Sequence, residues 1–314
     1  MASLSPLVFK KDESFARPVL IQDYTIKLTK TGAEYIEGTM QAGNTFTFKA
    51  WGSSAAFATL KAYNFKGEVA QVAGSFDLYN NIQSTVLDSL VSTEGYSPYD
   101  FLKVKYDRMA YLNALKDLVA KSCSEKGTAL LNKMLFSNEE LLNSFTLEFA
   151  AKSHHDNCLS GLLAHTYKVT YLLSVVLSMY PMLTCDETDK SKQDTDKKDL
   201  FVIGVVLHDI GKVIEMHMGT YTDESVVTHA ILGMDLLYKF KADIEATYSG
   251  LWFRYLQSIL AQHHGEWGER PRTVYSFIIH KVDELDAKST ELSSKLEEAP
   301  IDSAIPLDGY YLKF

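Results

Sequence analysis

Residues 205–212 read VVLHDIGK, and an apolar run that begins at Phe201 delivers the chain straight into His208 and Asp209. An imidazole and a carboxylate are costly in an apolar interior unless something pairs with them. Other residues of the same types follow a similar pattern. Four, seven, eight and eleven positions beyond His165 stand Val169, Leu172, Leu173 and Val176, one apolar stripe of a helix, so His165 points inward. Alone it reads more readily as a hydrogen-bonded core histidine than as a ligand. His263 and His264 end the helical stretch WFRYLQSILAQ, and Asp283 follows Phe277, Ile278, Ile279 and Val282 in another helix. Four separate helices thus bring imidazole or carboxylate groups inward. A divalent-metal centre accounts for all of them at once, because neutral imidazole and carboxylate are its usual ligands and offset the cost of burial. Neighbouring helical residues diverge by about 100°. His208 and Asp209 can therefore hold one ion from two directions while the second carboxylate oxygen reaches another. Of the remaining histidines, His217 reads as a surface residue. His280 lies on the same helix face as Asp283, and His154 with His155 sits at a helix start, either exposed or positioned to meet substrate.

The elements that must position these residues fall into two patterns. Residues 1–95 alternate apolar and polar, as in YTIKLTK, EYIEGTM and NTFTFKAWG, with glycines as turn punctuation and one helical stretch at 53–64. Short strands at roughly ten-residue spacing predict a small β-barrel, and strand, strand, strand, helix, strand is an order that an OB-fold allows. In TFTFKAW, alternation separates Phe46 and Phe48 from Lys49 and Trp51, with the second pair the better candidates for exposure and for contact with a nucleic acid. From about Pro98 the periodicity turns helical. Residues 96–150 read as a helical connector, 151–300 as an all-α domain that carries the histidines, and 301–314 as a tail. Residues 184–200, TCDETDKSKQDTDKKDL, read as a solvated mobile loop, with helices resuming at Phe201.

The totals exclude several classes. The chain has 314 residues and a formal net charge of −9, so any nucleic-acid site has to be local. Residues 1–95 carry eight Lys and Arg against nine Asp and Glu. The three cysteines, Cys123, Cys158 and Cys185, form no CxxC pair, which argues against a disulfide framework or a zinc finger and fits a cytoplasmic protein. No signal-peptide core stands at the N-terminus and no run approaches membrane-spanning length, so no membrane partner is expected.

The order His165, His208–Asp209, Asp283 resembles the HD superfamily of metal-dependent phosphohydrolases. The series HHDNCLSGLLAHT, VVLHDIGKVIE, THAILG, HHGEWGERP and VDELDAK, behind a small β-domain and closed by YYLKF, resembles the YhaM family of 3′-to-5′ exoribonucleases over nearly the whole chain. The resemblance implies an N-terminal OB-fold that binds nucleic acid and an HD-type helical domain. It implies two divalent ions, manganese first among Mn, Co, Fe, Ni, Mg and Zn. His165, His208, Asp209 and Asp283 would hold one, and His229 with His263 or His264 the other, with Asp209 as the bridge. Lys212 would contact the phosphate. Single-stranded RNA, with single-stranded DNA as a second substrate, would be hydrolysed, with His154, His155, Lys49 and Trp51 meeting it; a homo-oligomer stays open. The alternatives are an HD hydrolase of small nucleotides and a non-catalytic single-strand-binding protein. Two positions depart from the family pattern: Ser160–Gly161 stands where a Gly-Gly pair is usual, and Ala164 where a Glu is common.

Overall fold

In the computed structural model, residues 7–79, 82–152, 156–300 and 303–313 are described. The chain separates into two compact units, residues 1–105 and 106–314. The first unit thus extends ten residues beyond the alternating stretch. The helices of residues 108–147, expected as a connector, belong to the second.

The first unit is a five-stranded closed barrel, built as β1 (Ser14–Leu28), β2 (Glu34–Gln41), β3 (Thr45–Trp51), α1 (Ala55–Ala62), β4 (Glu68–Tyr79) and β5 (Ile82–Ser92). Its strand order β1-β2-β3-β5-β4 makes it OB-like, as expected. Closure depends on β1. It is long enough to pair antiparallel with β4 through Ser14–Ile21 and with β2 through Leu20–Leu28, and a bulge between Ile21 and Asp23 bends it from one partner to the other. β3 and β5 close the barrel in parallel at Phe48↔Thr85 and Lys49↔Val86. Val19, Ile21, Ile36, Met40, Phe48, Ala50 and Leu87 fill the interior, and α1, capped by Ser54, adds Ala56, Phe57 and Leu60. Alternation along β3 holds: Phe48 is fully buried and Trp51 is 40% exposed. The Trp51 ring lies 5.2 Å from that of Tyr35, with the Lys49 ammonium 5.9 Å from its centroid.

The second unit is helical, with two small hairpins that the all-α expectation did not include. Its elements are α2 (Arg108–Ser122), α3 (Glu125–Leu131), α4 (Glu139–Leu147), α5 (Gly161–Met179), α6 (Thr195–Leu207) and the short α7 (Lys212–Glu215). After the hairpin β6 (Met216–His217) and β7 (Thr220–Tyr221) come α8 (His229–Tyr238), α9 (Lys241–Thr247), α10 (Gly250–Gln262) and α11 (Val274–Glu298). The hairpin β8 (Ile305–Leu307) and β9 (Tyr310–Leu312) closes the chain. α6 is central: every residue from Asp199 to Leu207 is buried, which is why its sequence is apolar without periodicity. α5 and α10 pack on it, with Leu163, Val169, Phe201, Val205, Phe253, Leu256 and Ile259 in the shared core.

Two expectations need correction. Residues 184–200 are not loop throughout. Cys185 pairs with Gln193 across a bridge, Asp186 and Asp189 accept hydrogen bonds within tight turns, and α6 already begins at Thr195 with Asp194 as its cap. Asp199 is fully buried, taking hydrogen bonds from the Ser124 amide and the Tyr248 hydroxyl at 2.7 Å each. Second, α5 is long and apolar enough to cross a membrane by length and composition, contrary to the expectation that no run would be. Half of that stretch is buried within this unit, against α2, α4, α6 and α11.

Candidate metal centre

Helix ends from α6, α8 and α10 meet inner turns of α5 and α11 to build the centre. α6 carries the apolar run inward and stops at His208, its C-cap, so His208 and Asp209 lie at the mouth of a turn and not within a continuous helix. α5 contributes His165 from its second turn, α8 begins at His229, α10 ends at His263–His264, and α11 contributes Asp283 from its third turn. His165 and His263 are fully buried, and His208, Asp209 and His229 nearly so.

The geometry divides around one carboxylate. Oδ2 of Asp209 lies 3.6 Å from His165 Nε2 and 3.5 Å from His208 Nε2. Oδ1 lies 3.3 Å from His229 Nε2 and 3.4 Å from His263 Nε2. Asp283 Oδ1 completes the first side, 3.1 Å from His165 Nε2 and 3.8 Å from His208 Nε2. His264 Nε2 completes the second, 2.7 Å from His229 Nε2. Two donor sets result, His165/His208/Asp283 and Asp209/His229/His263/His264, and within each the donor atoms all lie within 4.8 Å of one another.

The residues fit divalent ions. Two ligands 2.1 Å from a common centre at a tetrahedral angle stand about 3.4 Å apart, close to most of these separations. His208 Nε2 and Asp209 Oδ1 are buried and make no hydrogen bond among the described residues, a costly arrangement that coordination would offset. Each ring is also held by its other nitrogen. His208 Nδ1 donates to Val205 O at 2.6 Å and His263 Nδ1 to Leu260 O at 2.9 Å, which fixes the tautomer that leaves Nε2 as a lone-pair donor. His165 Nδ1 lies 2.8 Å from Asp286 Oδ2, and His229 Nδ1 lies 3.0 Å from Glu215 Oε2.

Asp286 and Glu215 escaped the sequence reading, although VDELDAK and HDIGKVIE contain them. Their spacing was the available signal: Asp286 is one helical turn beyond Asp283, and Glu215 one turn beyond Lys212. His280 lies behind the centre, its Nδ1 2.7 Å from His263 O, and His217 is exposed. His154 and His155 lie outside the described residues. The structure gives Lys212 to Asp209, with Nζ donating to Oδ2 at 2.7 Å.

Electrostatics separates the imidazoles. Burial lowers the His208 pKa to about 4, and burial together with the neighbouring His263 lowers that of His264 to about 3. Both rings are therefore neutral and suited to ligation. Burial would also lower the His165 pKa, but hydrogen bonds to Asp283 and Asp286 outweigh it and raise the value to about 10. At Asp209 burial works upward, yet Lys212 and His208 hold the carboxyl well below its usual range. Lys212 keeps its charge because Asp209 outweighs burial.

These shifts predict a pH profile. Above about pH 6.5, the ordinary imidazole value, His208 and His264 are neutral whether the chain is folded or not. As pH falls toward about 4, the unfolded chain binds protons there that the folded protein refuses, so stability drops. His165 has the opposite sign: its contribution is complete below pH 6.5 and is lost as pH rises through about 10. Thermal unfolding in chelator is expected to show a midpoint that falls between pH 6.5 and 4; a flat profile there would contradict the neutral assignment.

Ser160, Gly161 and Ala164, singled out in the sequence, occupy constrained positions. Ser160 has φ 64°, in the left-handed region that glycine occupies most easily, while Gly161 has no space for a side chain because a Cβ would stand 1.9 Å from Asp156 O. Ala164 is fully buried.

A family model, the HD domain, matches residues 162–288. All the donors of both sets lie within the matched range, together with Asp286, Glu215 and Lys212. The HD domain, with its His and Asp clusters, points to a metal-dependent phosphohydrolase.

Proposed function

We propose that the chain is a 3′-to-5′ exoribonuclease that hydrolyses phosphodiester bonds of single-stranded RNA with two manganese ions, and accepts single-stranded DNA as well. The observation that carries the phosphodiester chemistry is the division of Asp209, one oxygen facing each set of imidazoles. When bound, divalent ions in these sets supply a water acidic enough to attack at neutral pH and positive charge against the phosphoryl oxygens. The chain's own residues do the rest. Asp209 holds the two halves in register. The Lys212 ammonium, charged despite its burial, stands on the Oδ2 side and meets a phosphoryl oxygen. His264, held neutral, is suited to ligation and not to delivering a proton. His/Asp donor sets also accept Co, Fe, Ni or Zn, with availability deciding. The three free cysteines suit a cytoplasmic setting.

Support for RNA comes from the OB-like barrel, where Trp51, Tyr35 and Lys49 form an outward aromatic and cationic group. Bases stack on such rings and phosphates meet the lysine. Since one stacked base contributes about 1–3 kcal/mol, Trp51→Ala is expected to weaken binding of a labelled oligoribonucleotide by about 5- to 150-fold. Unchanged fluorescence anisotropy would remove this face from the account. The near-neutral charge of residues 1–95 favours a second reading, hydrolysis of small nucleotides with the barrel serving assembly. One assay separates them. With Mn²⁺ and a 5′-labelled oligoribonucleotide, a ladder that shortens from the 3′ end is expected. Intact oligomer beside hydrolysed nucleotide would contradict the exonuclease.

A further inference from the structure

The four most buried imidazoles of the centre are held in two ways. His208 and His263 rest their Nδ1 on main-chain carbonyls, whereas His165 and His229 rest theirs on the carboxylates of Asp286 and Glu215. Each donor set therefore contains one carbonyl-held ring and one carboxylate-held ring. A carbonyl fixes the tautomer and little else. A carboxylate also adds negative charge to the ring and makes Nε2 a stronger donor.

We infer that Asp286 and Glu215 are positioning residues, each setting how tightly one half of the centre holds its ion. The inference rests on the two-ion reading above. Neither carboxylate belongs to either donor set, so each acts through its imidazole. The two supports differ in construction. Asp286 is buried at 4% exposure, and Lys168 balances its charge at 3.3 Å. Lys168 also donates to Asp156 Oδ2 at 2.8 Å and to Thr290 Oγ1 at 2.7 Å, and the Tyr106 hydroxyl donates to Asp156. The His165 ring is thereby tied through Asp286 and Lys168 to the segment that leads into α5. Asp156, His165 and Asp286 resemble a third donor set, but the Lys168 ammonium already bridges the two carboxylates. On the other side Glu215 grips one residue twice, accepting from the His229 main-chain N–H at 3.1 Å and holding Nδ1. It fixes the start of α8 and the direction of its first side chain together.

The test is a Mn²⁺ titration of the full chain, with free ion followed by electron paramagnetic resonance and folding checked by circular dichroism. The wild type is expected to bind two ions. Asp286→Asn should weaken one of them by about 10–100-fold and Glu215→Gln the other, as loss of such a carboxylate does elsewhere. The double variant should weaken both, and Asp286→Glu should recover part of the loss. If Asp286→Asn does not fold, Glu215→Gln, at a less buried residue, carries the test alone. Unchanged affinities in the variants, or a parallel loss at both sites with a lowered unfolding midpoint, would overturn the inference and leave these residues a structural role only. A wild type that binds no ion would instead overturn the two-ion reading itself.

Discussion

Asp209→Asn is expected to reduce hydrolysis by on the order of 10³-fold, while the chain still folds in the same shape. The change keeps volume and removes what the geometry uses. Each carboxylate oxygen faces a different set of nitrogens, and an amide turns its NH₂ toward one of them and withdraws a donor atom. It also leaves the buried Lys212 ammonium without the carboxylate that holds its proton. Breaking a buried pair by removing one partner destabilises by about 3–5 kcal/mol. A lower unfolding midpoint in chelator should therefore accompany the lost activity. Turnover within threefold of the wild type would show that Asp209 is not the bridge.

Gly211→Ala is expected to lower stability by about 3 kcal/mol or more, beyond ordinary overpacking because main chain is what it strikes. A Cβ at Gly211 would stand 1.9 Å from His229 O and 2.5 Å from Gly233 N, so α7 and α8 must separate. The motifs HDIG and THAILG meet here main chain to main chain, and the contact places His229 opposite Asp209. For a unit of this size the loss corresponds to an unfolding midpoint lower by about 10 °C, and the ion on the His229 side should weaken with it. Gly233→Ala is the control: its nearest neighbour stands at 3.3 Å, so a small adjustment accommodates the methyl group. Equal midpoints for Gly211→Ala and the wild type would refute the close approach as the reason for glycine.

Much of this was legible in the chain because apolar periodicity reports direction. The stripe from Val169 to Val176 turned His165 inward, and the unbroken apolar run from Phe201 marked an interior segment ending in two polar residues. Alternation in TFTFKAW likewise separated Phe48 from Trp51. Asp286 and Glu215 stayed hidden for a physical reason. Each sits one turn from a recognised residue, where a carboxylate usually faces solvent, and its partner comes from another element: His165 is 121 positions away. Residues 184–200 misled through composition. Asp, Ser, Thr and Lys read alike whether they cap turns, as Asp186, Asp189 and Asp194 do, or are solvated, and burial of Asp199 depends on Ser124 and Tyr248 from distant helices. The backbone at His208–Asp209 keeps a helical turn at His208, with φ −54° and ψ −39°, although α6 itself does not run on. α6 spans Thr195–Leu207 and His208 caps it, so the pair stands where the helix gives way to a turn.

The most direct test of the centre is the electron paramagnetic resonance spectrum of the full chain loaded with Mn²⁺. Two ions sharing Asp209 should give an exchange-coupled pair at a stoichiometry of two, lost in Asp209→Asn. A spectrum of isolated, uncoupled Mn²⁺ at full loading, or a coupled pair that survives Asp209→Asn, would contradict the bridge.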